Sequence, residues 1–296
     1  DEIPDKTRML PPSIGGGGTT LRRKYKSSHV KESADLLKFL NSDVTHVRSD
    51  MPVENSPAEE YYKGYDPDWC STKNKFDVRR NLADTILVDV FLEDDTKRAR
   101  TADLFVLKGP AGNGKSVVLK RAAWEAPTEY DLAVLHLDNP TSSCVPLIQE
   151  IHTYIKERIY LTVDRAAFFV NEILDLLKNL NQIRVPVTVL TAERDNEWDV
   201  RCADLEPYVS QEYQLHFFSE KEIHQLLSKL STHNALGLLA DLPYEDRVRA
   251  FVDRAQRQIL VALHEATLGK PFEKIVVDEF NRISPPEAKQ LYLDVC

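Results

Sequence analysis

Gly109, Gly112 and Gly114 punctuate the octapeptide GPAGNGKS, which closes on Lys115 and Ser116. Residue types and spacing match the pattern GxxxxGK[ST] in full. Glycine permits the tight turns that aim successive backbone N–H groups at one point, and such a concavity binds anions. The lysine adds a charge that can bridge the β- and γ-phosphates of a nucleotide, and the serine a hydroxyl that can sit on Mg2+. Gly109, Pro110, Ala111, Gly112, Asn113, Gly114, Lys115 and Ser116 are therefore the candidate binding residues, with ATP or GTP and Mg2+ as the expected cofactors. The flanks suit the chemistry. LFVLK (104–108) is an apolar run before the glycines, and SVVLKRAAWEA (116–126) is a helical run after them, whose N-terminal dipole also favours anions.

Hydrolysis asks for an acid at the end of a later apolar strand, often followed by a residue that polarises water. AAFFVNE (166–172) reads as a strand, which puts Asn171 on the metal side and Glu172 beside it. An amide there accepts a hydrogen bond but brings no charge, so weak metal binding and slow hydrolysis are expected. Glu172 is the candidate base or metal-side acid. Asp138, closing LAVLHLD (132–138), is a rival. Each of the three also reads as a polar residue satisfying a strand end or a helix start. Arg194 follows the strand VPVTVLT (185–191) and can reach a γ-phosphate, or else pair on the surface with Glu193 or Asp195; Thr191 shares that strand end. The expected catalytic set is Lys115, Glu172 and Arg194, with Ser116 and Asn171 on the metal.

Other residues are open to two readings. Trp69 and Tyr65 can stack on a base or anchor a core. Arg79 and Arg80 can touch phosphate or a neighbouring subunit, or lie on a solvated helix. The eight histidines form no catalytic grouping, and no GxSxG elbow or Cys–His pairing suggests another hydrolase.

These residues need a scaffold, and the apolar runs alternate with helical stretches. Strands are expected at 104–108, 132–138, 166–172, 185–191 and 212–217, with helices at 146–159 and 173–180 among them. That alternation implies an α/β fold, a P-loop NTPase core whose parallel sheet is covered by helices on both faces. After Phe217 strand signals vanish, and 220–230, 244–267 and 286–295 read as a helical lid subdomain. The domain reading is a flexible linker over 1–28, a mixed segment packing on the NTPase over 29–98, the core over 99–217 and the lid over 218–296. The start at Asp1 and the stop inside LYLDVC suggest a chain cut at both ends.

Composition narrows the partners. Apolar residues are 42%, charged residues 29%, and the formal net charge is -9. An acidic balance argues against nucleic acid or an anionic membrane as the main partner. The cluster Arg22, Arg23, Lys24 and Lys26 reads as a solvated tail. Cys70, Cys144, Cys202 and Cys296 show no metal-ligand spacing and fit reduced thiols in a cytoplasmic protein. No apolar run approaches the ~18 residues of a membrane helix.

Three pieces together resemble the STAND branch of AAA+-related P-loop NTPases: LFVLKGPAGNGKSVVLKRAAW, VPVTVLTAERDNEW and LGKPFEKI. In the second, Thr191 and Arg194 look like the family's strand-Thr-x-x-Arg sensor; in the third, Gly269 and Pro271 look like its lid motif. The resemblance implies that Pro271 lies near an adenine, which favours ATP over GTP. The stretch EEYYKGYDPDW…DVRRNLAD further resembles bacterial anti-phage STAND proteins that carry a sirtuin-like effector. It implies a nucleotide-controlled switch in which ATP binding and slow hydrolysis drive homo-oligomerisation and activate a fused or upstream effector. A non-hydrolysing scaffold and a P-loop kinase or translocase are the other readings.

Overall fold

The computed structural model describes residues 7–9, 22–24, 33–64 and 67–255, and beyond them 263, 274, 277, 280–281, 283–285 and 287–290. Two compact units emerge: one of residues 1–55, 68–75 and 79–216, the other of 56–67, 76–78 and 217–296. The stretch 29–98, expected as one segment, is thus shared between them. Most of the expected linker lies outside the described residues; its described part is an antiparallel pair, β1 (Thr7–Met9) with β2 (Arg22–Lys24).

The first unit is built on a six-stranded sheet. Its strands are β3 (Thr45–Val47), β4 (Ala102–Gly109), β5 (Ala133–His136), β6 (Ile159–Asp164), β7 (Val187–Arg194) and β8 (Val209–Gln214), in the order β3-β5-β6-β7-β4-β8. β3 runs antiparallel to β5, and every other pairing is parallel. Helices α1 (Ala34–Lys38), α3 (Trp69–Lys73), α4 (Asn81–Ile86), α5 (Lys115–Tyr130), α6 (Cys144–Ile155), α7 (Val170–Gln182) and α8 (Asp195–Arg201) complete this unit, and α2 (Ala58–Tyr62) belongs to the other.

Apolar side chains on both faces of each central strand demand cover on both sides. In β4, Leu104 and Val106 join a core with Leu36, Ile148, Ile173 and Leu177. Phe105 and Leu107, one residue out of phase, join a second core with Ile86, Val118, Leu119 and Ala122. The period of two along β4 therefore distributes helices α1, α6 and α7 to one face, and α4 and α5 to the other.

One expected strand is corrected. Residues 166–172 are not extended: Ala166–Phe168 form a 3₁₀ turn and α7 starts at Val170. The strand that fills the middle of the sheet is IYLTVD, β6, paired on both sides. It was hidden by extending the helix of α6 to Ile159, whereas that helix ends at Ile155 with Lys156 in a left-handed conformation, φ 56°. Arg165, φ 57°, breaks the chain after β6 in the same way. The buried stripe Ile173, Leu176, Leu177, Leu180 then imposes helical period and draws residues 170–172 into its first turn. Phe168, left outside any strand, is 68% exposed.

The second unit packs Tyr62, Val78, Ile223, Leu226, Leu227, Leu230, Leu239 and Phe251 into one core. Helix α9 (Glu220–Thr232) starts with a reciprocal cap between Ser219 and Glu222, and α10 (Tyr244–Ala255) follows. Most of the rest of the expected helix to 267, and most of 286–295, lie outside the described residues. Among the described residues no helix is long and apolar enough to cross a membrane.

Candidate nucleotide site

β4 lies between β7 and β8 and delivers its last residue, Gly109, directly across from Arg194, with Lys108 across from Glu193. On the other side Leu215 N–H donates to Lys108 O at 2.8 Å. The chain after β8 comes so close that a Cβ on Gly109 would stand 2.9 Å from Leu215 O, so only glycine fits without a backbone shift. Gly112 and Gly114 hold φ of 69° and 86°, the left-handed region that a side chain resists. A Cβ on Gly114 would meet nothing within 4 Å, so the demand there is purely conformational. Gly114 gives α5 no side-chain cap, which leaves the first-turn N–H groups to an incoming acceptor.

Lys115 folds back into this turn. Its Nζ donates to Gly109 O at 3.0 Å and Pro110 O at 2.8 Å. Burial holds its ammonium pKa below the ordinary value, and Arg194 pushes the same way; Glu193, Asp164 and Asp195 oppose the shift. Those four charged groups therefore share the field of Lys115. Asn113, fully buried, ties the loop to the end of β8: its Nδ2 donates to Leu215 O and to His216 O, each at 2.9 Å.

Asp164 ends β6, paired with Ala192 of β7, and its Oδ1 accepts from Arg165 N–H at 3.0 Å. This strand-end acid was missed by sequence reasoning, although the run IYLTV closing on Asp carried the signal. Glu193 is buried and spends both oxygens on backbone, accepting from Ala167 N–H and from Arg194 N–H at 2.7 Å each. Asp195 Oδ1 accepts from Gln214 Nε2 at 3.1 Å. Arg194 is exposed, and among the described residues its guanidinium forms neither a hydrogen bond nor an ion pair. The surface pair with Glu193 or Asp195 is not formed. Thr191 is consumed in the sheet, donating to Val163 O at 2.8 Å.

Asn171 and Glu172 do not join this group. Both sit in the first turn of α7, Asn171 exposed and Glu172 half-buried. Neither is among the charged or hydrogen-bonding partners of Lys115. The metal-side reading of Asn171 loses its geometric basis, because the strand that was to carry it is β6 and ends at Asp164. Asp138 turns towards β5: its Oδ1 lies 3.5 Å from His136 Nε2, and that histidine holds its carboxyl below the usual range, against burial. His136 Nδ1 is paired with Thr162 Oγ1 at 2.9 Å.

Trp69 is anchored, its ring edge-on to His136 at 5.3 Å and under Lys120 Nζ at 5.4 Å. Arg79 pairs with Asp84 and with the buried Glu125, at 2.9 Å each. Arg80 Nη2 donates to His216 O at 2.8 Å. Tyr65, Gly269 and Pro271 lie outside the described residues. Among the described residues no three His, Cys, Asp or Glu side chains group as a metal cage.

A family model described as Novel STAND NTPase 5 matches residues 59–206, half of the 296-residue chain. No functionally curated protein matches. Among solved structures the chain is similar to C. elegans PCH-2, at 14% identity and a TM-score of 0.45, over 76% of this chain and 70% of that one. It is similar to Aeropyrum pernix ORC2, solved in ADPNP–ADP complexes, at 13% identity and a TM-score of 0.42, over 65% and 67% of the two chains. Similarity to the Thermotoga maritima RuvB branch-migration motor is 16% identity with a TM-score of 0.38, over 54% of this chain and 53% of that one.

Proposed function

This chain belongs to the Novel STAND NTPase 5 family, and we propose that it is a nucleotide-controlled switch that binds ATP or ADP at Gly109–Ser116 and hydrolyses ATP slowly. The observation that carries this reading is the state of Lys115. Its half-buried ammonium is held by two carbonyls of its own loop, inside a turn that needs left-handed backbone at Gly112 and Gly114. Phosphate oxygens are better acceptors for that charge than peptide carbonyls, and the loop already has the form that would present N–H groups to them.

The donor set fits the expected cofactors. Pro110, Ala111 and Asn113 fill the turn between the glycines, and Lys115 would neutralise phosphate charge. Ser116, with Asp164 in the place first given to Asn171, would hold Mg2+, a hard cation that prefers oxygen. When bound, the ion would draw charge from the transferring phosphoryl group. Among the described residues the Arg194 guanidinium makes no hydrogen bond or ion pair, and it shares the field of Lys115, which supports a role in telling ATP from ADP. Glu193 orients Arg194 through the backbone. The base that activates water remains a choice between Asp164 and Glu172, and position favours Asp164. The scaffold alternative drew its support from Asn171 at the metal, and that support is gone.

The finer reading extends to homo-oligomerisation and to activation of a fused or upstream effector in bacterial anti-phage defence. Its support is the resemblance of the stretch around 59–84 to sirtuin-linked STAND proteins. Denaturing the purified chain and identifying released nucleotide by chromatography tests the central reading. ADP or ATP from the native chain, absent from Lys115→Ala, is the expected result. A native chain that carries none and binds none on titration with Mg-ATP refutes it.

A further inference from the structure

The phosphate loop is fastened to one short peptide at two points, and that peptide stands at a junction. Gly109 lies against Leu215, and Leu215 N–H bonds to Lys108 O at 2.8 Å. Four residues into the loop, Asn113 Nδ2 donates to Leu215 O and His216 O, both at 2.9 Å. His216 is the last residue of the first unit, and Phe217 begins the long C-terminal part of the second.

The amide orientation of Asn113 has a chemical cause. Turned over, its carbonyl would face two peptide carbonyls, so donation is the only workable choice. Its Oδ1 is meanwhile buried with no hydrogen-bond partner among the described residues. An unmatched buried acceptor is costly, and a side chain needed only to fill space would not carry one. Arg80 converges on the same acceptor, donating from Nη2 to His216 O at 2.8 Å.

We propose that Asn113 is a positioning residue that reports occupancy of the phosphate loop to the His216–Phe217 junction. The inference rests on the nucleotide reading above. Hydrogen bonds weaken steeply once distance and angle leave their narrow range. To reach phosphate, Lys115 must release Gly109 O and Pro110 O; the adjustment of the turn that follows shifts the Asn113 amide, and the carbonyls of 215 and 216 must follow or lose its hydrogen bonds. Nucleotide state thus reaches the chain where it leaves the sheet, with no ligand contact needed at residues 215–217.

The test is hydrogen exchange of the full chain, followed in peptides spanning 213–219 with and without Mg-ADP, beside fluorescent-ADP titrations of the same samples. In the native chain ADP is expected to slow exchange there by about tenfold, the order expected from one or two neutral hydrogen bonds. Asn113→Ala, studied at an ADP concentration that saturates it in the titration, should show almost no slowing. Asn113→Ser, which restores one donor, should recover part of the effect, and it decides the question if the alanine variant does not fold. Slowing of native size in a variant that binds ADP overturns the proposal. So does complete loss of binding in both variants, which would make Asn113 a mere part of the cradle. A native chain that binds no ADP instead overturns the nucleotide reading itself.

Discussion

Replacing Asp164 by Asn separates the proposed site from the one expected from sequence. The substitution keeps size and leaves an oxygen to accept from Arg165 N–H, as Asp164 Oδ1 does at 3.0 Å, so the end of β6 should survive. What disappears is one of the three carboxylates that offset the burial of Lys115. A carboxylate that orients the water shell of a bound ion typically contributes about 10- to 100-fold in metal affinity or activity, which corresponds to about 1.4–2.8 kcal/mol. Fluorescent-ADP titrations in Mg2+ and in EDTA provide the assay, with phosphate release alongside. Asp164→Asn is expected to weaken Mg-dependent binding by that factor, to leave binding in EDTA nearly unchanged, and to slow phosphate release to match. Asn171→Asp serves as the counter-test. It adds a negative charge to the first turn of α7, which should stabilise the chain by about 0.3–1 kcal/mol in urea and leave nucleotide binding alone. If Asp164→Asn keeps its Mg2+ dependence while Asn171→Asp strengthens it, the strand-end assignment is wrong.

Three further outcomes are expected. The Lys115 pKa lies below its ordinary 10.5 in the folded chain, so nucleotide affinity should fall as pH rises through the lowered value, before a free lysine would titrate. Stability runs the other way: between those two pKa values the unfolded chain binds more protons, so this group's contribution to stability rises with pH, which urea midpoints at stepped alkaline pH would detect. Arg194→Met should weaken ATP by about tenfold or more, the value of a hydrogen bond to a charged group, while ADP stays within about twofold; equal losses for both would remove the sensor role. At the opposite end of β4, the buried Asp103 accepts from Arg98 Nη1 at 3.0 Å and Thr188 Oγ1 at 2.6 Å, with Arg158 Nη1 at 3.6 Å. Asp103→Ala leaves the buried Arg98 and Arg158 guanidiniums with the exposed Asp95 as their counter-charge and should cost up to about 3–5 kcal/mol of stability, read from the urea midpoint; a loss below about 1 kcal/mol would show that Asp95 and solvent suffice.

The residues that do their work through neighbours in the chain could be read without a structure. A glycine-rich turn between an apolar strand and a helix is a local event, so that turn, the strand before it and the helix after it followed from spacing alone. Alternation of apolar and helical runs likewise determined an α/β sheet covered on both faces, because a strand buried on both sides must be apolar throughout.

The acid could not be found that way. IYLTVD and AAFFVNE are both short apolar runs with a polar end, and short runs do not declare themselves strand or helix. Pairing decided between them: only Ile159–Asp164 finds partners on both sides, in β5 and β7, and the stripe from Ile173 to Leu180 claims the other run for a helix. The environment of Arg194 was equally out of reach, since Glu193 and Asp195 stand beside it in sequence yet spend their oxygens on Ala167, Arg194 N–H and Gln214. The tie from Asn113 to Leu215 and His216, about a hundred residues away, exists because β8 lies beside β4. Local geometry writes its requirements into adjacent residues; strand order and the sharing of buried donors and acceptors are set only when distant segments meet.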